Sequence, residues 1–299
     1  MSPPPALAPR HALLALAVVA VWGTNFVVIK AALGSLPPLL FAALRFALAF
    51  LPAALLVARP PVAWRVLAGY GVAIGTGQFG LLFVAMRTDI TPGLASLVIQ
   101  TQVFFTIGLA MLLNGERLRR VQAIALVLAA GGLAVIAAHI DAHTTPLGLA
   151  LVLLAALSWA VGNLIAQRAG RVPMFGFVVW SSVFAVPPLL ALAVLVEGPS
   201  ALWQGLRAAD GTVWAAVAWQ SLGNTLFGYG AWAWLMARYP AATVSPMALL
   251  VPVFGMGAST LLLGEPLQGW KLVAAALVIG GLALNVAGNR LAAARGPTS

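Results

Sequence analysis

Apolar residues fill most of the chain in long stretches, which are separated by short clusters of arginine, proline and glycine. A helix needs about 20 apolar residues to cross the hydrocarbon core of a bilayer. Cutting the sequence at the polar clusters therefore predicts ten membrane-spanning helices. They cover roughly residues 11–33, 38–58, 66–87, 91–113, 120–138, 146–169, 174–196, 212–237, 242–263 and 270–290. The longest connection, around Glu197 to Gly211, is expected to hold a short interfacial helix.

One segment of the chain occurs twice. Residues 91–118 and 240–267 align without gaps, and both end in the ordered pattern G-E-x-L, at 115–118 and at 264–267. Chance matches between leucine-rich helices would not readily reproduce that ending, so the alignment indicates an internal repeat. It predicts two units of five spans each, residues 1–143 and residues 144–299.

An odd number of spans in each unit requires the second unit to enter the membrane upside down relative to the first. After the G-E-x-L pattern, the first copy continues with Arg119 and Arg120, whereas the second continues with Gln268 and Lys271. Cytoplasmic loops carry an excess of Lys and Arg. The distribution of basic residues therefore favours two inverted repeats with both termini in the cytoplasm, an arrangement typical of secondary transporters with a site near the membrane midplane.

Composition excludes several other classes of protein. Of the 299 residues, 62% are hydrophobic and 7% are charged, against about 25% charged in soluble domains, so an all-α integral membrane protein is predicted. The net charge of +10 comes from basic residues beside apolar runs, and cytoplasmic loops explain it without a nucleic-acid partner. The chain has no cysteine, which excludes disulfides and cysteine metal ligands. We expect no metal and no cofactor.

The polar side chains inside the spans are amides, hydroxyls and aromatics. All six carboxylates lie at or beyond the predicted span ends, and proton relays through membranes usually use buried Asp, Glu or His. A buried amide is costly without a partner, so these side chains are expected to face the interior of the helix bundle. The candidate substrate-binding residues are Trp22, Asn25, Gln78, Phe79, Gln100, Gln102, Trp159, Asn163, Asn224 and Tyr229.

Each of these features has a plainer interpretation. For any single amide, hydrogen bonding between helices is the simpler one, although the concentration of the set on spans one, three, four, six and eight favours a polar cavity. The glycines of spans three and eight serve either close helix packing or hinges. Arg45, about two turns into span two, either anchors backbone carbonyls or the Glu265 turn, or attracts a substrate carboxylate. Lys30 is expected to snorkel to the outer surface.

Several motifs together resemble the EamA branch of the drug/metabolite transporter superfamily over nearly the full length. They are W-G-T-N-F at 22–26, L-R-F at 44–46 and the two G-E-x-L endings. Three further stretches are most similar to bacterial inner-membrane exporters of cysteine, O-acetylserine and related amino acids, with the YddG-type exporters as relatives; these stretches are residues 93–107, 158–163 and 248–255. The resemblance implies a ten-helix basket, a central cavity lined by helices one, three, four, six, eight and nine, and alternating access.

The function that this resemblance implies is export of amino acids or their derivatives across the bacterial inner membrane. With no buried carboxylate, facilitated diffusion or exchange is expected rather than carboxylate-driven proton antiport. Amide oxygens, freed carbonyls and aromatic faces would meet the substrate ammonium, and amide nitrogens or freed backbone N–H groups its carboxylate. Efflux of other small metabolites or drugs is the alternative.

Two other classes of function fit the residues less well. An intramembrane enzyme needs a buried nucleophile with a base or a metal, and no His or carboxylate lies deep in a span. A channel is disfavoured because two asymmetric inverted halves favour rocking about one site. The expected partners are a small-molecule substrate and membrane lipid, and the protein is expected to act as a monomer or a homodimer.

Overall fold

The computed structural model describes residues 8–114, 120–140, 143–170, 172–239 and 241–295, which form helices and connecting turns without a strand. Each predicted span coincides with a helical run, and the runs keep their ordinal names below. Runs one to five are α1 (Pro9–Ala32); α2 (Pro38–Ala54); α3 (Trp64–Gly71), a π-helix (Val72–Gly80) and α4 (Leu81–Thr88); α5 (Pro92–Val98), a 3-10 helix (Ile99–Thr101) and α6 (Gln102–Asn114); and α7 (Arg120–Ala137).

The second half of the chain repeats this series. Runs six to ten are α8 (Pro146–Arg168); α9 (Met174–Leu192) with a π-helix (Ala193–Glu197); α11 (Gly211–Ala218), a π-helix (Trp219–Phe227) and α12 (Gly228–Arg238); α13 (Ala241–Val244), a 3-10 helix (Ser245–Leu250) and α14 (Val251–Leu263); and α15 (Gly269–Arg295). Between runs seven and eight lies α10 (Pro199–Ala208), which confirms the short helix expected in the longest connection.

Most of these runs have the length and hydropathy of membrane spans. Seven are long and apolar enough to cross a bilayer, and two shorter apolar helices are Pro38–Ala54 and Met247–Leu263. Large apolar side chains such as Leu56 and Leu126 are exposed on the outside, as lipid-facing positions require. The eighth run is the most polar at its centre, because its π-helix buries Gln220 and Asn224.

Irregular helix geometry recurs at matching places in the two halves. The third and eighth runs each contain a nine-residue π-helix, and the fourth and ninth runs each contain a 3-10 helix. The repeat alignment pairs Ser96 with Ser245, so Ile99–Thr101 falls on the end of Ser245–Leu250. π-helices are rare and often occur at functional sites. Their presence at matching places shows that the two halves resemble each other in backbone conformation as well as in sequence. The first G-E-x-L ending, residues 115–118, lies outside the described residues.

Three helical runs of the first half pack against their counterparts in the second half, in opposite directions. At the end of run seven, a carboxylate oxygen of Glu197 accepts a hydrogen bond from the backbone N–H of Leu39, at the start of run two, at 2.6 Å. Near the start of run seven, Trp180 Nε1 donates to the carbonyl of Val57, just past the end of α2, at 2.9 Å. Runs two and seven are therefore antiparallel neighbours.

The fifth and tenth runs show the same relationship. The rings of His139, at the end of run five, and Trp270, at the start of run ten, stack with their centroids 4.8 Å apart. At the other ends, a Cβ on Gly288 would collide with Val121, so the two helices lie in close contact there. One hydrophobic core continues through both halves of the described chain.

The start of the fourth run is held by Glu265, which follows the ninth run. Its carboxylate accepts hydrogen bonds from Thr91 Oγ1 at 2.6 Å and from the backbone N–H of Gly93 at 3.1 Å. It also forms an ion pair with Lys271 Nζ at 2.9 Å. We call these four residues the Glu265 clasp. It joins the end of run nine to the start of run four, so this pair is antiparallel as well.

Lys30 does more than extend to the surface. Its Nζ donates hydrogen bonds to the carbonyls of Met86 at 3.0 Å and Arg87 at 2.8 Å. A helix leaves its last carbonyls without partners inside the helix. Lys30 therefore caps the end of the third run, and snorkelling alone was an incomplete prediction.

Candidate functional site

The π-helix Trp219–Phe227 is the polar centre of the structure. It buries the side chains of Gln220, Ser221, Asn224 and Thr225. Thr225 Oγ1 donates to the Gln220 carbonyl at 2.9 Å, and Ser221 Oγ donates to the carbonyl of Val217 at 2.8 Å. Inside a membrane, protein groups must satisfy the carbonyls that a widened helical turn frees. The hydroxyls meet this need and leave the two amides to face other helices.

The first run contacts this π-helix through predicted site residues. Asn25 and Gln220 form a reciprocal amide pair, with Nε2 to Oδ1 at 2.7 Å and Nδ2 to Oε1 at 3.4 Å. Trp22 Nε1 donates to the carbonyl of Asn224 at 3.2 Å, and the rings of Trp22 and Tyr229 lie 5.6 Å apart. Trp22, Asn25, Asn224 and Tyr229 thus come together as a group. Gln220, which is their direct partner, was missed.

The other predicted amides form a second group between runs four, six and nine. Asn163 Nδ2 donates to Gln102 Oε1 at 2.9 Å and to Thr106 Oγ1 at 3.3 Å. Gln100 Nε2 donates to the carbonyl of Ala248 at 3.5 Å. These amides bond to neighbouring helices in this conformation, which fits the simpler interpretation offered for each of them alone.

The remaining predicted residues have separate surroundings. Gln78 is 3% exposed, and its Oε1 is buried without a hydrogen-bond partner in the described structure. Trp159 is partly buried against the hydrophobic core. The ring of Phe79 lies under the guanidinium of Arg45, with 3.9 Å between Cζ and the ring centroid.

Arg45 occupies a more central position in the structure than the sequence indicated. It is fully buried, and its Nη2 donates to Thr225 Oγ1 at 2.7 Å. The expectation that it anchors the Glu265 turn is wrong, because Glu265 binds the other clasp residues, Thr91, Gly93 and Lys271, instead. A lone arginine inside an apolar span was the signal in the sequence, since ionisable residues at such positions usually serve function.

Arg45 lies in a narrow pocket between runs two, three, seven and eight, whose cavity volume of about 10 Å³ is roughly the room that one water molecule needs. Runs two and seven were not among the helices expected to line the cavity, so this pocket lies to one side of the predicted one. The hydroxyl-bearing side chains that line it are Tyr70, Ser181, Ser182, Thr225 and Tyr229. Among the described residues no Asp, Glu or His lines it, and Arg45 is the charged group among those that do.

The described carboxylates lie at helix ends, as predicted. Asp210 accepts from the Val213 N–H at 3.0 Å at the start of α11, and Asp89 accepts from Thr145 Oγ1 at 2.9 Å at the start of α8. Glu197 and Glu265 follow their helices. Glu116 and Asp141 lie outside the described residues.

Comparison with known proteins identifies the family. Residues 10–138 and 146–287 match the EamA-like transporter family. A probable amino-acid metabolite efflux pump of Salmonella typhimurium is 43% identical over 288 residues, which cover 94% of this chain and 96% of that protein. A protein of the same description from Escherichia coli K12 is 40% identical over 287 residues, with the same coverage.

More distant relatives also match over most of the length of both chains. The uncharacterized inner membrane transporter YedA of Escherichia coli K12 is 25% identical over 281 residues, covering 92% of this chain and 90% of YedA. A solved structure described only as the crystal structure of a protein superimposes with a TM-score of 0.65 at 21% identity, covering 95% of this chain and 99% of the other, and so shares the fold. The chain is therefore a membrane transporter rather than an enzyme, and it belongs to the EamA-like transporter family.

Proposed function

We propose that the protein exports amino acids or amino-acid derivatives across the bacterial inner membrane by alternating access. Two relatives that it matches over 94% of its length are described as probable amino-acid metabolite efflux pumps. The observation that carries the proposal is the antiparallel packing of corresponding helices around a polar interior. Two units related in this way move substrate by rocking about one shared site.

In the proposed topology all ten helical runs cross the membrane, both termini are cytoplasmic, and residues 1–143 and 144–299 form inverted units. Contacts between the start of one run and the end of its counterpart support the inversion, as at Leu39 and Glu197 or at Trp270 and His139. The polar eighth run crosses with the Gln220 amide bonded to Asn25 of the first run and with Asn224 buried rather than exposed to lipid.

Cysteine labelling tests this topology directly, because the chain has no cysteine of its own. A membrane-impermeant maleimide added to spheroplasts is expected to label Ser35→Cys and Gln268→Cys, which follow runs one and nine. It is expected to label the exposed positions Arg59→Cys and Arg168→Cys only after lysis. Labelling of Ser35→Cys and Gln268→Cys on opposite sides would contradict the inverted arrangement.

The ten predicted side chains remain the proposed substrate-binding set, with Arg45 discussed separately below. Counterflow in proteoliposomes with a panel of labelled amino acids tests them, with other small metabolites included as alternative substrates. Alanine at Asn25, Gln78, Gln100 or Asn163 is expected to reduce counterflow by about tenfold, the effect of losing roughly 1.4 kcal/mol of binding. The control is Asn285→Ala, a buried amide on the tenth run away from these groups. Equal losses in both sets would mean that the amides serve packing only.

The same vesicles test energy coupling. In the part of the chain that the structure describes, the pocket around Arg45 is lined by no acidic side chain and no histidine that could carry a proton. Counterflow is therefore expected to continue when a protonophore collapses the pH gradient. Substrate movement that requires an imposed pH gradient would contradict facilitated diffusion or exchange.

A further inference from the structure

Arg45 carries a positive charge that the described part of the chain leaves without a counter-ion. Its side chain is 0% exposed, and the ion pair present among the described residues joins Lys271 to Glu265 instead. A buried charge is strongly unfavourable unless it is paired and hydrogen-bonded. An arginine buried inside a transmembrane helix therefore indicates a partner from outside the described part of the chain, such as a bound substrate.

The guanidinium has free hydrogen-bonding capacity. Its Nη2 donates to Thr225 Oγ1 at 2.7 Å, while Nε and Nη1 are buried without a partner. A guanidinium has five N–H groups in a rigid fork, and only one is used here. Whichever Nη2 hydrogen Thr225 takes, a pair of parallel N–H groups remains on the other side. Two parallel N–H groups match the two oxygens of a carboxylate.

The aromatic residues around Arg45 orient it without neutralising it. Its Cζ lies 3.9 Å from the centroid of Phe79 and 4.8 Å from that of Phe46. Ring faces attract a cation through their quadrupole, but they carry no net charge and offer no oxygen acceptor. The plane of the guanidinium is thus fixed between rings, and its free N–H groups still need acceptors.

A second unsatisfied group lines the same pocket. Ser181 Oγ is buried and has no hydrogen-bond partner in the described structure. By contrast, the neighbouring Ser182 donates to the carbonyl of Val178 at 2.8 Å, and Thr225 is already bonded to Arg45. The pocket therefore combines the buried Arg45 cation with the unpaired Ser181 hydroxyl, and none of the described residues that line it is a carboxylate.

We propose that this pocket, which is nearly closed in the present conformation, widens to bind the carboxylate of the transported substrate, with Arg45 as a bidentate donor and Ser181 as an additional donor. This inference rests on the proposed function and narrows its substrate class to small molecules with a free carboxylate. Carboxamides, esters and decarboxylated amines of the same size are rejected, because they leave the guanidinium unpaired. The sequence had led us to expect amide nitrogens or freed backbone N–H groups to bind the substrate carboxylate, and in this proposal Arg45 binds it instead.

Competition measurements with the full-length protein in proteoliposomes test the proposal. The probes are an L-amino acid that supports counterflow, its carboxamide and its decarboxylated amine. The wild-type protein is expected to prefer the carboxylate by on the order of 100-fold, as for a lost partner of a buried charge. Arg45→Lys is expected to raise KM about tenfold with the maximal rate within about twofold, because lysine keeps the charge but loses the bidentate fork.

Arg45→Met distinguishes a role of Arg45 in binding the substrate carboxylate from a purely structural role. If Arg45 binds the carboxylate, the methionine variant should accept the carboxylate and carboxamide equally well. A purely structural role, such as tying run two to run eight through Thr225, would lower the amount of folded protein and leave the preference unchanged; that result would overturn the proposal. The matched control is Arg207→Met, since Arg207 also lies over an aromatic ring, that of Trp203, but on the exposed face of α10.

The wild-type protein alone provides a further test if the variants fail to fold. Thermal stabilisation in detergent by propionate or by the amino acid, but not by the corresponding amides, is expected; equal stabilisation by amides would refute the carboxylate site. The two proposals also fail differently. Export of amino acids together with their amides at equal rates would refute only this inference. Stabilisation by propionate without transport of any amino acid would refute only the proposed function.

Discussion

Replacing Glu265 with glutamine is expected to lower the free energy of unfolding by about 3–5 kcal/mol, the range for removing one partner of a buried ion pair. The Glu265 carboxylate binds Lys271 at 2.9 Å, and it also receives the Thr91 hydroxyl and the Gly93 N–H. Glutamine keeps the shape of the side chain, but it leaves the charge of Lys271, which is 5% exposed, without a partner. Unfolding in mixed micelles, followed by tryptophan fluorescence, measures the change.

Asp210→Asn is the matched control for this loss of charge. Asp210 caps the start of α11 by accepting from the Val213 N–H at 3.0 Å. Asparagine caps a helix about as well as aspartate, and Asp210 is exposed. A change below about 0.5 kcal/mol is therefore expected. Equal effects of the two substitutions would show that the Glu265 clasp contributes no more than an ordinary surface cap.

Adding a single methyl group at Gly71 is expected to destabilise the protein by about 1–3 kcal/mol, as overpacked cores do. A Cβ at this position would collide with the backbone carbonyl of Ser181, and it would lie 3.1 Å from Phe184 Cβ. A backbone carbonyl cannot turn aside as a side chain can. Gly71→Ala therefore pushes runs three and seven apart, and Gly71→Val should prevent folding in most molecules.

Gly69→Ala, two residues earlier on the same helix, separates crowding from helix propensity. Its nearest neighbour would be the flexible end of Ile165 at 3.4 Å, an ordinary contact distance. Since alanine is the better helix former by roughly 0.5–1 kcal/mol, this variant is expected to be as stable as the wild type or slightly more stable. Similar destabilisation at both positions, measured by thermal unfolding in detergent, would contradict close packing as the role of Gly71.

The sequence predicted the positions of the helical runs well, because long apolar stretches between charged clusters leave few alternatives. The repeat was visible because its G-E-x-L ending is polar and ordered among leucines. At two glycines of the third run, close helix packing explains the residue without a hinge. Gly71 and Gly75 each bring the backbone against the seventh run, at Ser181 and Ala185.

The surroundings of Arg45 were not predictable from the sequence. The second run is apolar on all sides, so its periodicity does not reveal which face meets runs three, seven and eight. The π-helix Trp219–Phe227 has no sequence signature either. Its wider turn decides that Gln220 faces Asn25 and that Thr225 faces Arg45, whereas ordinary helical spacing drew attention to Asn224 and Tyr229.

The packing of runs two, four and five against their counterparts has a consequence for synthesis at the ribosome. The fifth run packs chiefly on the tenth, and the second on the seventh. Neither half therefore holds a complete interior of its own, and the fifth run has no packing partner until α15 has been synthesised. During that interval its interacting face, with Ala125 and Gly132, meets lipid or the insertion machinery. A fragment that ends before α15 would leave that face uncovered for good.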